Sequence, residues 1–146
     1  MSTGSTSAPT EAVHPDLAGG VAVVTGGGRG LGFSMAAALA RQGMHVALLD
    51  VLSDVADAAD RLADASGART VGLSADVTDG ASLATAFDAA TDRLGEPSVL
   101  LNAAGVALWA DSVDLPAADW RRVVDMGKLR GRCSLWEDRP GRCMPG

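Results

Sequence analysis

The chain has 146 residues, 47% of them hydrophobic, and a formal net charge of −6 at pH 7. This length suits one domain with a hydrophobic core, and the acidic balance argues against a nucleic-acid surface. No apolar run approaches the roughly 20 residues that cross a bilayer, and residues 1–16 lack the basic and apolar parts of a secretory signal. We therefore expect a cytoplasmic protein with a disordered leader at residues 1–16 and no membrane or nucleic-acid partner.

Four short apolar runs along residues 17–126 predict buried β-strands. Helical patterns separate these runs, and the connections are short. Strands that alternate with helices in this way favour an α/β fold with a doubly wound parallel sheet, for which we expect the strand order 3-2-1-4. The predicted strands are Val21–Thr25, Val46–Asp50, Thr70–Leu73 and Ser98–Leu101.

Apolar residues at helical spacing predict the helices between the strands. Leu31, Met35 and Leu39 form one stripe of the first helix. Ser53 suits the N-cap of the second helix. In a fourth helix, after the last strand, we expect Trp120 to pack in the core.

Five glycines fall within eight residues, Thr25–Gly32, directly after the first predicted strand. Glycine is costly to order, so such a cluster indicates a backbone that turns sharply and approaches a partner closely. Backbone N–H groups at a helix N-terminus suit the negative charges of a dinucleotide pyrophosphate. The loop reads Thr-Gly-x-x-x-Gly-x-Gly rather than Gly-x-Gly-x-x-Gly, and an ordinary strand-to-helix turn is the alternative. The cofactor-binding residues predicted in this loop are Thr25, Gly26, Gly28, Arg29, Gly30, Leu31 and Gly32.

Asp50 lies 18 residues beyond Gly32, at the end of the second predicted strand. A carboxylate there can accept hydrogen bonds from both hydroxyls of an adenosine ribose, and it repels a 2′-phosphate, which favours NAD over NADP. Val51 offers no basic group for that phosphate. Arg29 is the opposing indication, since a basic residue in the loop helps to bind NADP. A solvated strand end is the alternative for Asp50.

Further candidate cofactor-binding residues follow the third and fourth predicted strands. Asp76 and Val77 follow the third strand, and Asn102, Ala103, Ala104 and Gly105 follow the fourth. With the glycine loop and Asp50, they make residues 17–126 resemble the short-chain dehydrogenases/reductases. The resemblance implies a Rossmann-type NAD-binding domain, contacts of Asp76 and Val77 with adenine, and a cofactor border at residues 102–105, where Ala103 replaces a second Asn. A capping role is the alternative for each of these residues.

The resemblance stops near residue 126. The family continues with a catalytic Asn, a Ser and a Tyr-x-x-x-Lys pair, whose Tyr is the general acid and base for hydride transfer. This chain contains no tyrosine, and Gly127 or Lys128 stands where the Asn is expected. The resemblance thus implies an oxidoreductase of alcohols and ketones, truncated here after about four strands and inactive as written. A non-catalytic nucleotide-sensing or partner-binding module is the alternative.

Residues 127–146 differ from the rest of the chain. Residues 1–126 carry 7 basic and 16 acidic residues, a net −9, whereas residues 127–146 carry 5 basic and 2 acidic residues, a net +3. This composition predicts an irregular basic tail that arises from truncation or a frame shift, with a natural partner-binding tail as the alternative. Cys133 and Cys143 predict neither a zinc site nor a disulfide. The open outer edge of the fourth strand predicts self-association.

Overall fold

One sheet and its flanking helices make up the described part of the chain. The computed structural model describes residues 14–109, 111 and 114–127. Most of the predicted leader and the tail from residue 128, with both cysteines, lie outside these residues. The elements are a 3-10 turn Pro15–Leu17, β1 Val21–Thr25, α1 Gly30–Arg41, β2 His45–Asp50, α2 Val55–Ser66, β3 Thr70–Ser74, α3 Gly80–Leu94, β4 Val99–Asn102 and α4 Ala117–Gly127.

The four strands are parallel and lie in the order β3-β2-β1-β4, which confirms the predicted α/β fold and strand order. Side chains alternate between the two faces of the sheet. Val23 and Leu49 pack with α3 on one face, whereas Val24 and Leu48 pack with α1 and α2 on the other. Because both faces are covered, β1 and β2 consist almost wholly of apolar residues.

The register of the sheet brings the carboxyl ends of the strands to one edge. Thr25 lies opposite Leu49 on β2 and opposite Asn102 on β4, and Asp50 lies opposite Ser74 on β3. The glycine loop, the end of β2 and the segment after β4 therefore follow neighbouring strands at the same edge.

The buried face of α1 differs from the stripe predicted to begin at Leu31. Gly32, Ala36 and Ala40 are buried, whereas Leu31 is 73% exposed. A Cβ on Gly32 would lie 2.1 Å from the carbonyl oxygen of Gly26, so the helix approaches the loop more closely than any side chain permits. Small residues therefore occupy the contact face. Of the predicted stripe, Leu39 packs beside that face and Met35 is half-buried, so only Leu31 is out of place.

The predicted N-cap of α2 is also wrong. Asp54 occupies this position, and the helix begins at Val55. The Val55 amide donates to the Leu52 carbonyl at 3.3 Å and closes a turn between β2 and α2. This turn makes the connection one residue longer than predicted. Ser53 therefore lies before the cap.

Trp120 is 61% exposed, contrary to the prediction of core packing. Helix α4 reaches the core cluster through Met126, which packs against it. Trp120 lies six positions before Met126, which places it about 9 Å away from Met126 along the helix axis. None of the helices within the described ranges has the length and apolarity that a bilayer crossing requires.

Candidate functional site

A cavity of about 400 Å³ opens at the carboxyl ends of β1 and β2. The glycine loop, the end of β2, the segment after β4 and helix α4 surround it. Eleven of the fifteen residues predicted to bind a cofactor line this cavity, although they come from four separate parts of the chain. These are Gly26, Arg29, Gly30, Leu31, Gly32, Asp50, Val51, Val77, Ala103, Ala104 and Gly105.

The N-terminus of α1 faces this cavity. Arg29 is the N-cap residue, and its side chain makes no capping hydrogen bond. Gly30 has a φ of +57°, and an added Cβ would meet no atom within 4 Å. The first N–H groups of the helix have no intrahelical acceptor and lie at the positive end of the helix dipole. This end of the helix is thus suited to an anion.

Thr25 holds the segment after β4 against β1. It is buried, its carbonyl accepts from the Ala103 amide at 3.1 Å, and its hydroxyl accepts from the Ala104 amide at 3.4 Å. Gly26 has a φ of +65°, and a Cβ there would lie 2.6 Å from the Cα of Ala104. Thr25 and Asn102 line an adjoining cavity of about 660 Å³ rather than the one beside Asp50.

The Asp50 carboxylate is held by two backbone amides. Oδ2 accepts from the Gly28 amide at 2.9 Å, and Oδ1 accepts from the Leu52 amide at 3.3 Å. The side chain is half-buried. Gly28 itself does not line the cavity, but its amide fixes the carboxylate that does.

Asp76 does not line the cavity beside Asp50. Its Oδ1 accepts from the Thr78 hydroxyl at 2.7 Å and from the Thr78 amide at 2.8 Å. The hydroxyl, and secondarily the amide, lowers the pKa of the Asp76 carboxyl below its usual value. Val77 is buried and does line the cavity. The structure thus brings only one of these two predicted residues to the site.

Five lining residues were not predicted from the sequence. The most informative is Arg122, whose guanidinium makes no ion pair or hydrogen bond with any residue in the described ranges. It lies four residues before Met126, so the two share one face of α4, and this spacing is a signal present in the sequence. The unpredicted residues are Leu52, Ala75, Val106, Arg122 and Met126.

The family model described as short chain dehydrogenase matches residues 20–128. This chain belongs to that family. The resemblance inferred from the glycine loop and the strand ends is therefore confirmed.

Relatives in the family differ in the cofactor that their names indicate. The 2-(S)-hydroxypropyl-CoM dehydrogenase 3 of Xanthobacter autotrophicus is 36% identical over 71% of this chain and 41% of its own length. The NAD-dependent glycerol dehydrogenase of Listeria innocua is 34% identical over 76% of this chain and 42% of its own length. The alcohol dehydrogenase of Thermococcus sibiricus, solved with 5-hydroxy-NADP, superposes with a TM-score of 0.75 and 25% identity over 82% of this chain and 52% of that chain. This short-chain dehydrogenase chain spans less than half the length of the two curated relatives.

Proposed function

We propose that residues 17–126 bind NAD(H) as the cofactor-binding domain of a short-chain dehydrogenase that acts on alcohols and ketones. The observation that carries this proposal is that the Asp50 carboxylate and the N-terminus of α1 line one cavity of about 400 Å³. A group that accepts hydroxyl hydrogens and a group that attracts anions thus face the same space. An adenosine diphosphate moiety requires both.

The pyrophosphate is assigned to the N-terminus of α1. Its first N–H groups are without intrahelical acceptors, and Gly30 leaves open space above them. Arg29 and Arg122 line the same cavity. Neither forms an ion pair with another residue of the described part of the chain, so both are available to the two negative charges.

The adenosine ribose is assigned to Asp50. An ionised carboxylate offers about four acceptor positions. Each Asp50 oxygen already accepts one backbone N–H, from Gly28 or Leu52. Each therefore retains an acceptor position for one ribose hydroxyl.

We infer NAD rather than NADP from the negative charge of the Asp50 carboxylate. A 2′-phosphate at this position would meet the Asp50 carboxylate, and like charges repel. Arg29 favours the opposite choice, but its exposed side chain is not held by any hydrogen bond within the described residues. Asp50 is held by two amides, so its charge cannot turn away without losing a hydrogen bond. We therefore assign NAD, as in the name of the Listeria relative.

The chemistry of the complete family reaction is hydride transfer, which the nicotinamide supplies when it is bound. The residues of this chain would hold the cofactor, but the proton transfer at the substrate oxygen needs a general acid. The sequence contains no tyrosine for that role. We therefore propose that the chain as written binds NAD(H) without turnover.

A nucleotide-sensing or partner-binding module is the second candidate function, and the same absence of tyrosine favours it. In that case residues 127–146 serve as a basic tail for a partner. Reading the coding DNA past codon 126 in all three frames distinguishes the two, because a dehydrogenase requires a Tyr-x-x-x-Lys there. Either function is compatible with the cytoplasmic location and the leader at residues 1–16 that we propose.

We also propose that the chain self-associates through the outer edge of β4. In the described ranges this strand pairs only with β1. Val99, Leu100 and Leu101 on it are only partly buried. An unpaired apolar edge of this kind pairs readily with another chain.

Calorimetric titration with NADH and NADPH tests the cofactor assignment. We expect tighter binding of NADH, and Asp50→Ala should cost about 1.5–3 kcal/mol of NADH binding, which is tenfold or more in affinity. Asp64→Ala is the matched control, because it removes the same charge from an exposed site on α2. Equal or tighter binding of NADPH by the unmodified chain would contradict the assignment.

A further inference from the structure

Helix α4 is fixed to the rest of the chain mainly near its carboxyl end. Met126 packs against the core cluster on the α3 face of the sheet, which includes Ala75 and Val77 after β3. None of the described side chains of α4 is buried, and Trp120, nearer the amino-terminal end, is exposed. Apolar contact therefore contributes little to the position of the amino-terminal half of this helix.

Arg122 lies one turn before Met126, on the same face of α4. Both side chains line the cavity beside Asp50. Asp50 does not pair with the Arg122 guanidinium, which also has no acceptor among the other residues of the described ranges. The cavity thus has a cation in its wall whose charge the described part of the chain leaves unmatched.

The amino-terminal end of α1 lines the same cavity, but α1 belongs to the other face of the sheet. Ala36 and Ala40 of α1 pack in the cluster that contains Val24 and Leu48, whereas Met126 packs against the opposite cluster. The two helices therefore meet a common space only at the carboxyl edge of the sheet. A ligand that contacts both of them there would bridge the two faces.

We propose that Arg122 binds the pyrophosphate assigned to the N-terminus of α1, and that this contact fixes the amino-terminal half of α4 only when the dinucleotide is bound. The inference rests on the proposed NAD(H) site and adds to it a ligand-dependent positioning of α4. A guanidinium suits this role, because its planar fork can donate to two phosphate oxygens at once. Since the side chain is exposed, salt should weaken the contact.

Calorimetric titration of the 146-residue chain tests the phosphate contact. Arg122→Ala should weaken NADH binding about fivefold at low salt, and the difference should shrink as the ionic strength rises. ADP should show the same loss, whereas adenosine, which has no phosphate, should bind both proteins equally in an NMR shift titration. Arg121→Ala is the matched control, because it removes the same charge from an exposed neighbour on α4 that does not line the cavity. Thermal melts establish that each variant is folded.

Hydrogen exchange measured by mass spectrometry tests the positioning of α4. NADH should slow exchange of the backbone amides of residues 117–126 in the unmodified chain and in Arg121→Ala. In Arg122→Ala saturated with NADH, these amides should exchange as fast as in the free protein. The amides at the start of α1, residues 30–33, should still be slowed in that variant, because they bind the pyrophosphate without help from α4.

The outcomes separate this inference from the proposed function. If NADH neither binds the unmodified chain nor slows exchange at the start of α1, the NAD(H) site itself is wrong. If NADH binds but Arg122→Ala leaves its affinity unchanged, or lowers it no more than Arg121→Ala does, the phosphate contact is overturned. An equal loss of affinity for adenosine and for ADP also overturns it. If NADH slows exchange in α4 equally in Arg122→Ala and in the unmodified chain, the positioning of α4 by Arg122 is overturned.

Discussion

The Thr25 hydroxyl accepts a hydrogen bond from the Ala104 amide at 3.4 Å, and these residues are 79 positions apart. The contact joins the end of β1 to the segment after β4, on the wall shared by the cavity beside Asp50 and its neighbour. Gly26 packs against Ala104 beside it, so the position of this segment depends on both residues. The hydrogen bond between Thr25 and Ala104 therefore helps to set the shape of the cavity wall.

Thr25→Val should lower the free energy of unfolding by about 1 kcal/mol, because it leaves the Ala104 amide without its acceptor while keeping the side-chain volume. Urea unfolding measures the change. Thr91→Val is the control, since the Thr91 hydroxyl only donates to the Phe87 carbonyl within α3. If Thr91→Val lowers the free energy of unfolding as much as Thr25→Val does, the hydrogen bond from the Ala104 amide contributes no specific stability.

Gly30→Val should abolish binding of NADH, because the side chain fills the space above the N–H groups of α1. The substitution also strains the backbone, since φ at Gly30 is +57°. Gly67→Val matches that strain, because Gly67 has a φ of +72° with no atom within 4 Å of its Cβ position, and it lies at the end of α2. We expect both variants to lose about 1–2 kcal/mol of stability and only Gly30→Val to lose NADH in calorimetry. Retained affinity in a folded Gly30→Val protein would mean that the loop is only a turn.

Stability should depend on pH through Asp76 and Thr78. The pKa of Asp76 is lowered in the folded chain, mainly by the Thr78 hydroxyl, so the ionised carboxylate stabilises the fold. This contribution is complete above the ordinary value of 3.8 and is lost as the pH falls through the lower pKa of the folded state. Thr78→Val should therefore destabilise the chain at neutral pH, and the loss should shrink as the pH falls below the lowered pKa of Asp76, where the carboxyl is protonated in both states.

Thr85→Val is the control for that measurement. The Thr85 hydroxyl is exposed and donates to the Ala81 carbonyl within α3, which does not titrate. Unfolding in urea at neutral and acidic pH should show no pH-dependent difference for this variant. A pH-independent effect of Thr78→Val would contradict the role given to its hydroxyl.

Val99→Lys should raise the fraction of monomer in sedimentation equilibrium. A lysine on an edge strand disfavours pairing with a second chain, because its charge would be desolvated at the contact. Leu108→Lys makes the same charge change at a residue that is 42% exposed and lies outside β4. Self-association that Leu108→Lys relieves equally would indicate a general charge effect and not the sheet edge.

The purified chain should show no change in NADH absorbance with ketones, or in NAD absorbance with secondary alcohols. General acid–base catalysis is worth about 10²–10⁴-fold, and the sequence contains no tyrosine to supply it. Turnover that disappears in Gly30→Val would be the contrary result. It would show that a different residue of this chain acts as the acid.

The strands and the glycine loop were predictable because their signals are local. The apolar run Val21–Thr25 is interpretable without knowledge of its neighbours, and so is the glycine cluster that ends at Gly32. Asp50 was predictable for the same reason, since a strand that ends on an acid places it at the carboxyl edge of a parallel sheet. These positions, together with the family, follow from short stretches of sequence.

Packing between distant parts of the chain was decided only by the tertiary structure. The buried face of α1 is formed by Gly32, Ala36 and Ala40, because close approach to the loop selects small residues whatever their hydropathy. Trp120 is exposed because α4 meets the core only further along its length.

The sequence by itself determined which side chains reach the end of the sheet: Asp50, Asp76 and the glycine loop. The tertiary structure alone decided which groups these side chains contact. Asp76 is occupied by its neighbour Thr78, whereas Asp50 is held across 22 residues by the amide of Gly28. Arg122 lines the cavity because α4 packs beside it, and the spacing of Arg122 and Met126 along the helix does not show where that shared face packs. The physical reason is that such contacts depend on the register of the strands and the separation of the packed elements, and neither quantity is encoded in a short window of residue types.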